Sequence, residues 1–527
     1  MLPDAAPELP DAEYLVLSSR LIPGMDGGYT IATLARARQL AGAGVAGGAG
    51  PQLLTFDPGT SADHAQHRQT FAEQGALVDP SRMRNLFDEA VTSEGGATGW
   101  LREAADPAVA PDPDVEYRVL ADAAGRPFAA LPVIPGNPDW HLTDEPVLVY
   151  GAAGEVVGAL HGFRGLYRAW LEHVVATLGD RPVIVICESR QLGELVADWD
   201  DPHVRILHTI HTMHVEAPYT PDSSMNTLWT RWFRLADRFD AVIWPTVTQR
   251  DDVVERFGSG ANHVVVPNPI APVEAREELR EDGLVVVLGR LAAGKRVDHA
   301  IRAFLAADVP GTRMEIWGGG PEQERLQALI EELDAGDRVV LAGYTDAPGT
   351  VLDRASLLVT STAFEGQPLG IVESLLHGTP VVSYDVRYGI RDVLGSGGGV
   401  LVPAGDVDAL AAAVREVLGD DDVRARLSAE APLVAAAWSP ERSLAALAVV
   451  GVLHLRVPLH AVEARMPQRC RGRSRRRRAA PPVAPEPSLP SGPGSPGRSL
   501  RVLRRFPRTR ARGADGRHGG CGEEYPR

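Results

Sequence analysis

Lysine is nearly missing from this 527-residue sequence: of its 53 basic residues 52 are Arg, and the only Lys is Lys295. Cysteine is almost as scarce. The three Cys, at 187, 470 and 521, are odd in number and far apart, which excludes a disulfide framework and a Cys-based zinc cluster. The N-terminal stretch MLPDAAPELPDAEY is acidic and lacks the basic-then-apolar pattern of a leader peptide. No apolar run approaches the ~20 residues of a membrane span. The dinucleotide fingerprint G-x-G-x-x-G, the Walker loop and the G-x-S-x-G elbow are also absent. With 44% hydrophobic residues, what remains is a cytoplasmic, multidomain globular protein. The length predicts two to four domains, each able to bury a core.

The net charge of −16 conceals a split. Residues 451–527 carry 18 Arg against 5 acids, whereas residues 1–450 carry 35 cations against 64 acids. The segment from 446 on is rich in Arg, Pro and Gly without a sustained period, a composition that predicts disorder. Two readings fit it: a basic arm for an anionic surface, or a non-native translation such as a frameshift in GC-rich DNA. The abrupt change just after Trp438-Ser-Pro-Glu-Arg, inside a starting helix, favours the second. The body is too acidic for general nucleic-acid binding.

Two α/β blocks make up that body. In the first, AEYLVLSS (12–19) is a buried-strand run, followed by the glycine-rich turn PGMDGGYT and a helical stretch. Residues 110–165 instead contain alternating runs joined by Asp/Ala/Gly turns, which predicts a β-rich insertion of hairpins. The α/β pattern resumes at 181–189, 203–211 and 240–246, and VVVPNPI (264–270) reads as a linker. The second block has five candidate strands, at 283–291, 312–321, 338–345, 355–362 and 379–386, separated by helical patterns. Asp406 is a plausible helix start. This predicts an N-terminal domain over 1–270, a C-terminal domain over 271–445 and a tail over 446–527. Each domain is a parallel sheet whose ligand site lies at the carboxyl ends of its strands.

Four features could carry chemistry. In a chain that otherwise uses Arg, the lone Lys295, in GRLAAGKR just after a strand, marks a place for a compact ammonium. Together with Arg290 it could meet a diphosphate. In STAFEGQPLGIVESLLHG, a Gly/Pro loop leads into a helix near Leu369; its N–H groups suit an anion, and Glu365 and Glu373 can accept hydrogen bonds from hydroxyls. HTIHTMH places His208, His211 and His214 at a strand end without the carboxylate or Cys partners of a zinc site. His211, which ends the apolar run, is the preferred substrate contact, and His208 fits a core position. Gly27-Gly28 permits close backbone approach to a ligand. The Asp-Asp pairs at 200–201, 251–252 and 421–422 read as turns or helix caps.

Taken in order, a Gly-Gly loop, a strand-end His, G-R-x4-K and E-x7-E resemble the retaining family-4 glycosyltransferases of the GT-B fold. The likeness runs over about residues 12–445. The insertion, VICESRQLGELV, HTIHTMH and EGQPLGIVESLLHGTPVVSYDVRYG resemble in particular the poly(glycerol-phosphate) α-glucosyltransferases and the enzymes that add N-acetylglucosamine to serine-rich adhesins. The resemblance implies two Rossmann-like domains facing across a cleft. It further implies transfer of glucose or N-acetylglucosamine from a UDP-sugar to a cell-wall polymer or glycoprotein, with retention and without a metal or other cofactor. Arg290 and Lys295 would bind the donor diphosphate, Glu373 the ribose, and Glu365 with Gly366, Gln367, Pro368, Leu369 and Gly370 the donor sugar. His211 would sit near the reaction centre, and Gly27 and Gly28 would line the phosphate and acceptor side. The enzyme would be cytoplasmic, with peripheral membrane contact open. Gln367-Pro368 stands where the family often has Phe-Gly, and Ile390-Arg391 where Pro-Ser is common. The alternative is a non-catalytic GT-B subunit that binds acceptor for a partner; such a subunit would be expected to lose the Arg/Lys or Glu pair, and all four residues are present.

Overall fold

Short runs of Val, Ile and Leu set the architecture. In the computed structural model, which describes residues 8–456 apart from 26, 92–95 and 259, these runs form strands, and the central ones of each parallel sheet are buried on both faces. The N-terminal domain contains β1 (Glu13–Ser18), β2 (Gln52–Thr55), β3 (Met83–Asn85), then β4 (Tyr117–Ala121), β5 (Pro127–Pro132), β6 (Val147–Tyr150) and β7 (Val156–Leu160). It continues with β8 (Val183–Cys187), β9 (Val204–Thr209), β10 (Ala241–Trp244) and β11 (His263–Val265). Seven of these form one parallel sheet in the order β11-β10-β9-β8-β1-β2-β3. The C-terminal domain adds β12 (Leu284–Leu288), β13 (Arg313–Trp317), β14 (Val339–Gly343), β15 (Leu357–Thr360), β16 (Val381–Asp385) and β17 (Gly399–Pro403). Its parallel order is β14-β13-β12-β15-β16-β17.

Both sheets are doubly wound. The strand order reverses between β1 and β8 in the first and between β12 and β15 in the second, and ligands bind at such switch points. The expected insertion is the antiparallel meander β4-β5-β6-β7, which shares a core with Phe163, Tyr167 and Trp170 of the helix Gly162–Ala176.

The ordered body runs past the expected boundary at 445. The helix Pro440–Arg456 buries Leu447 and Val450 in the core of the N-terminal domain, and Ser443 Oγ donates to the Pro267 carbonyl at 2.6 Å. Leu447, Ala448 and Val450, in a stretch assigned to the tail on composition, form this seam. A related correction concerns membrane-length segments. The stretch Asp421–Gly451 has the length to span a membrane and holds an 18-residue window with a mean hydropathy of 1.3. Here it is broken at Ala436–Trp438 and lends Leu427, Ala431 and Trp438 to the C-terminal core. The tail reading for 457–527 lies outside the described residues.

Polar contacts join the two domains. Arg387 donates twice to Asp252, at 2.6 Å each, and Thr248 donates from both N and Oγ1 to Asp392. Asp252, read from sequence as a turn or cap residue, is thus an interdomain partner. Asp201 does act in a turn, accepting from His203 N at 2.8 Å.

Candidate functional site

The chemistry-bearing loops follow the first and fourth strands of each sheet. After β1 the chain reaches Gly27, which has φ of 52°, and the helix Gly28–Gly42 begins. After β15 it reaches Glu365 and then the helix Leu369–Leu376. These two helix starts face each other: a Cβ placed on Gly28 would lie 3.8 Å from Leu369 Cδ1. Neither helix has a side-chain cap or an acid in its first turn. The helices Ser61–Glu73, Val407–Gly419 and Asp421–Ala435 are capped by Thr60, Asp406 and Asp420. The start of Gly28–Gly42 and the Gly370 N–H at the start of Leu369–Leu376 can therefore receive an anion, although helices such as Val297–Ala307 and Gln323–Glu332 also lack a side-chain cap.

On the C-terminal side, Lys295 Nζ donates to Glu365 Oε1. The Lys295 side chain is 38% exposed and that of Glu365 is 18% exposed. Arg290 is exposed and, among the described residues, its side chain makes no hydrogen bond or ion pair. The glycine run Gly318–Gly320 at the end of β13 lets the backbone lie against this loop, with Leu291 N donating to Gly319 O at 2.9 Å. Glu373 is half-buried and has no hydrogen-bond partner among the described residues. Burial holds its carboxyl above the usual carboxylate range. A carboxyl in that state gains from a hydroxyl donor.

The expected sugar-contacting loop is tightly constrained. A Cβ on Gly366 would fall 2.7 Å from the His211 carbonyl, so this loop packs on the strand-end His of the other domain. Gly389, with φ of 67°, closes over the same loop; a Cβ there would lie 2.7 Å from Pro368 Cδ. Gly27 and Gly370 border open space. Gln367 differs from expectation. Its side chain is buried away from the cleft: Oε1 accepts from Asn268 N at 2.7 Å and Nε2 donates to Asn268 O at 3.1 Å. Only its backbone is left to face a ligand.

The three histidines of HTIHTMH part company. His208 is a core residue, its Nδ1 bonded to the Cys187 carbonyl at 2.8 Å, and burial lowers its pKa to about 4. His214 lies in an aromatic cage with neither ring nitrogen partnered. His211 lines the cleft, edge-on to Tyr29 with ring centroids 5.3 Å apart. Among the described residues, no group of three or more His, Cys, Asp or Glu stands where it could hold a metal ion.

Sequence reasoning missed two residues, Glu188 and Arg36. Glu188 directly follows β8 and is fully buried, with Oε2 2.6 Å from His211 Nε2 and Oε1 accepting from Arg36 Nε at 2.9 Å. Arg36 Nη2 also donates to Asn268 Oδ1 at 3.2 Å. Burial alone would raise the Glu188 carboxyl, but the Arg36 charge and the His211 hydrogen bond reverse this and hold it well below the usual range. The available signal was an acid closing the apolar run VIVIC at a switch point.

Residues 273–434 match the family Glycosyl transferases group 1. The chain is 31% identical over 297 residues to the 2-deoxystreptamine N-acetyl-D-glucosaminyltransferase of Streptomyces fradiae, covering 50% of this chain and 70% of that enzyme. It is 26% identical over 283 residues to the poly(glycerol-phosphate) alpha-glucosyltransferase of Bacillus subtilis, covering 52% of this chain but only 41% of that enzyme. In structure it resembles the pneumococcal O-GlcNAc transferase GtfA, with a TM-score of 0.66 at 16% identity over 85% of this chain and 100% of that one. It likewise resembles Staphylococcus aureus TarM, with a TM-score of 0.65 at 16% identity over 84% of this chain and 99% of that one. The match at 273–434, the length shared with the Streptomyces enzyme and the two facing doubly wound sheets together make this chain a member of the group 1, family-4 glycosyltransferases of the GT-B fold.

Proposed function

We propose that this chain transfers a hexose, glucose or N-acetylglucosamine, from a UDP-sugar to a cell-wall polymer or glycoconjugate, with retention at the anomeric carbon. The observation that carries this reading is Arg290, unpaired among the described residues, beside the Lys295–Glu365 pair, at the carboxyl ends of β12 and β15. Two cations at a strand-end switch point suit a diphosphate that gains charge as the sugar departs. Arg290 binds phosphate oxygens through its fork, and Lys295 meets them as a point charge, held in place by Glu365 until the donor arrives. The uncapped start of Leu369–Leu376 adds N–H donors. Glu373, half-buried and without a partner among the described residues, accepts from the ribose hydroxyls. The relatives' names support the donor class: an alpha-glucosyltransferase, an N-acetyl-D-glucosaminyltransferase and a transferase solved with UDP and GlcNAc.

The test is release of nucleotide by the purified full chain from UDP-glucose, UDP-N-acetylglucosamine and GDP-mannose. Turnover of a UDP-sugar is expected. Lys295→Ala should remove at least ~100-fold of it without changing the thermal unfolding midpoint, because the lost interactions belong to the transition state. Unchanged turnover in Lys295→Ala, or a β-linked product from the α-linked donor, would overturn the assignment.

A further inference from the structure

A charged pair removed from water contributes little to stability, because desolvation offsets most of the attraction, and apolar residues of the same shape often serve as well. Arg36 and Glu188 form such a pair, both side chains fully buried at the end of the parallel sheet. Their contacts show what the pair achieves. One Glu188 oxygen is occupied by Arg36, and the other by Nε2 of His211, whose side chain is 14% exposed at the cleft. Arg36 cannot swing away, because Nη2 is tied to Asn268, which is itself locked to Gln367 in the donor loop. His211 is held on its other sides by the Tyr29 ring and, at its carbonyl, by Gly366.

We propose that Arg36 and Glu188 are positioning residues: the pair fixes His211 as the Nε2–H tautomer and presents its Nδ1 lone pair to the cleft as a hydrogen-bond acceptor for a substrate hydroxyl. This rests on the transferase reading above. A carboxylate that accepts from one ring nitrogen leaves the other as the acceptor, so the tautomer follows from the hydrogen bond. A Glu held ionised by Arg36 keeps that preference across the working pH range. A free imidazole would divide between tautomers and rotate, and only part of the population would be competent.

The experiment uses the full chain and two readouts. The ¹⁵N-histidine NMR spectrum, with His211 assigned by its loss in His211→Ala, needs no substrate and should show the Nε2–H tautomer. Because Glu188→Gln alone strands a buried guanidinium, the pair is removed together. Arg36→Met/Glu188→Leu should weaken the tautomer preference and lose about tenfold in kcat, with KM for the donor within a factor of two. Arg36→Met/Glu188→Gln keeps an acceptor for Nε2–H and should recover most of the activity. In the His211→Ala background the Met/Leu pair should cost nothing further. An Nδ1–H tautomer in the wild type, or equal kcat losses with and without His211, would overturn the proposal. A wild-type chain that turns over no UDP-sugar would instead defeat the transferase reading, and the tautomer spectrum would still decide the positioning role.

Discussion

Replacing His214 with Phe should stabilise this protein and flatten its response to acid. The His214 ring lies among Trp229, Phe233, Trp244, Phe257 and Tyr388, with centroids between 5.7 and 6.4 Å away. Neither ring nitrogen has a hydrogen-bond partner among the described residues. Burial strips water from the imidazolium and Arg256 adds a like charge, so the pKa falls from 6.5 to about 4, with Asp252 pulling weakly the other way. The folded protein therefore keeps the ring neutral at pH values where the unfolded chain protonates it. Below pH 6.5 the unfolded state binds a proton that the folded state refuses, so stability falls with pH and levels off below about pH 4. The full effect is about 3 kcal/mol, of which about 2 kcal/mol is felt between pH 7 and pH 5. Phe has nearly the same shape, joins the aromatic cage and leaves no stranded nitrogen, which should add about 1 kcal/mol at pH 7. Thermal or urea unfolding of wild type and His214→Phe between pH 7.5 and 5 reads the difference. His208, with its pKa lowered to about 4, and His64, which burial would depress but Asp57 and Asp88 raise to about 9, titrate alike in both proteins and cancel. Parallel stability curves, or a variant less stable at pH 7, would refute the reasoning.

Three further outcomes are expected. Glu373→Gln should weaken UDP binding in calorimetric titration by about tenfold. It should also raise the unfolding midpoint above pH 4.5 but not below, because burial disfavours the ionised carboxyl in the folded state; a lower midpoint at pH 7 would contradict this. Asp252→Asn removes a bidentate interdomain acceptor whose partner Arg387 is 36% exposed. Water takes over part of the lost bonding, so the cost should be about 1–2 kcal/mol, accompanied by a raised donor KM as the domains seat less firmly; an unchanged KM would separate the contact from closure. Leu447→Ala, in the helix that returns to the N-terminal domain, should cost about 2–4 kcal/mol by denaturant titration, and a surface-like cost below 0.5 kcal/mol would show that the seam is not part of that core.

Long apolar runs with clear boundaries were legible in the sequence. GLVVVLGRL became β12, VDHAIRAFLAA became the helix Val297–Ala307, and Asp406 caps its helix through Ala409 N at 2.9 Å. The insertion was legible for a different reason: its Asp/Ala/Gly turns interrupt alternating runs at hairpin spacing. The strand β17 escaped because GGGVLVP opens on glycines that weaken any strand pattern, and β3 and β11 because three residues are too few to establish a period. The return of the last helix escaped because its composition changes just where its apolar spacing continues. In the site, Lys295 and the E-x7-E pair were legible because rarity and order are properties of sequence. Glu188 with Arg36, 152 residues apart, and Asp252 with Arg387, 135 apart, were not, since local periodicity contains no information about which distant residues meet.

The topology supplies the information that periodicity lacks. In each sheet the third, second and first strands run outward on one side and the fourth begins the other, so the loops after the first and fourth strands diverge and leave a crevice. Gly27-Gly28 follows β1 and Glu188 follows β8; Arg290 and Lys295 follow β12 and Glu365 follows β15. The fifth strands, β9 and β16, bring His211 and Gly389 against the same Gly366 loop. The two domains thus bring different groups to matching strand ends: the C-terminal crevice holds Arg290 and the Lys295–Glu365 pair, and the N-terminal crevice buries one carboxylate beneath one imidazole. Glu188 directly follows β8 and Glu365 lies in the loop beyond β15, and each carboxylate holds a group at the cleft: His211 in the first case, Lys295 in the second. An acid at the end of the fourth strand is therefore a candidate site residue on topological grounds, and the run VIVICES shows it once the strand order is known.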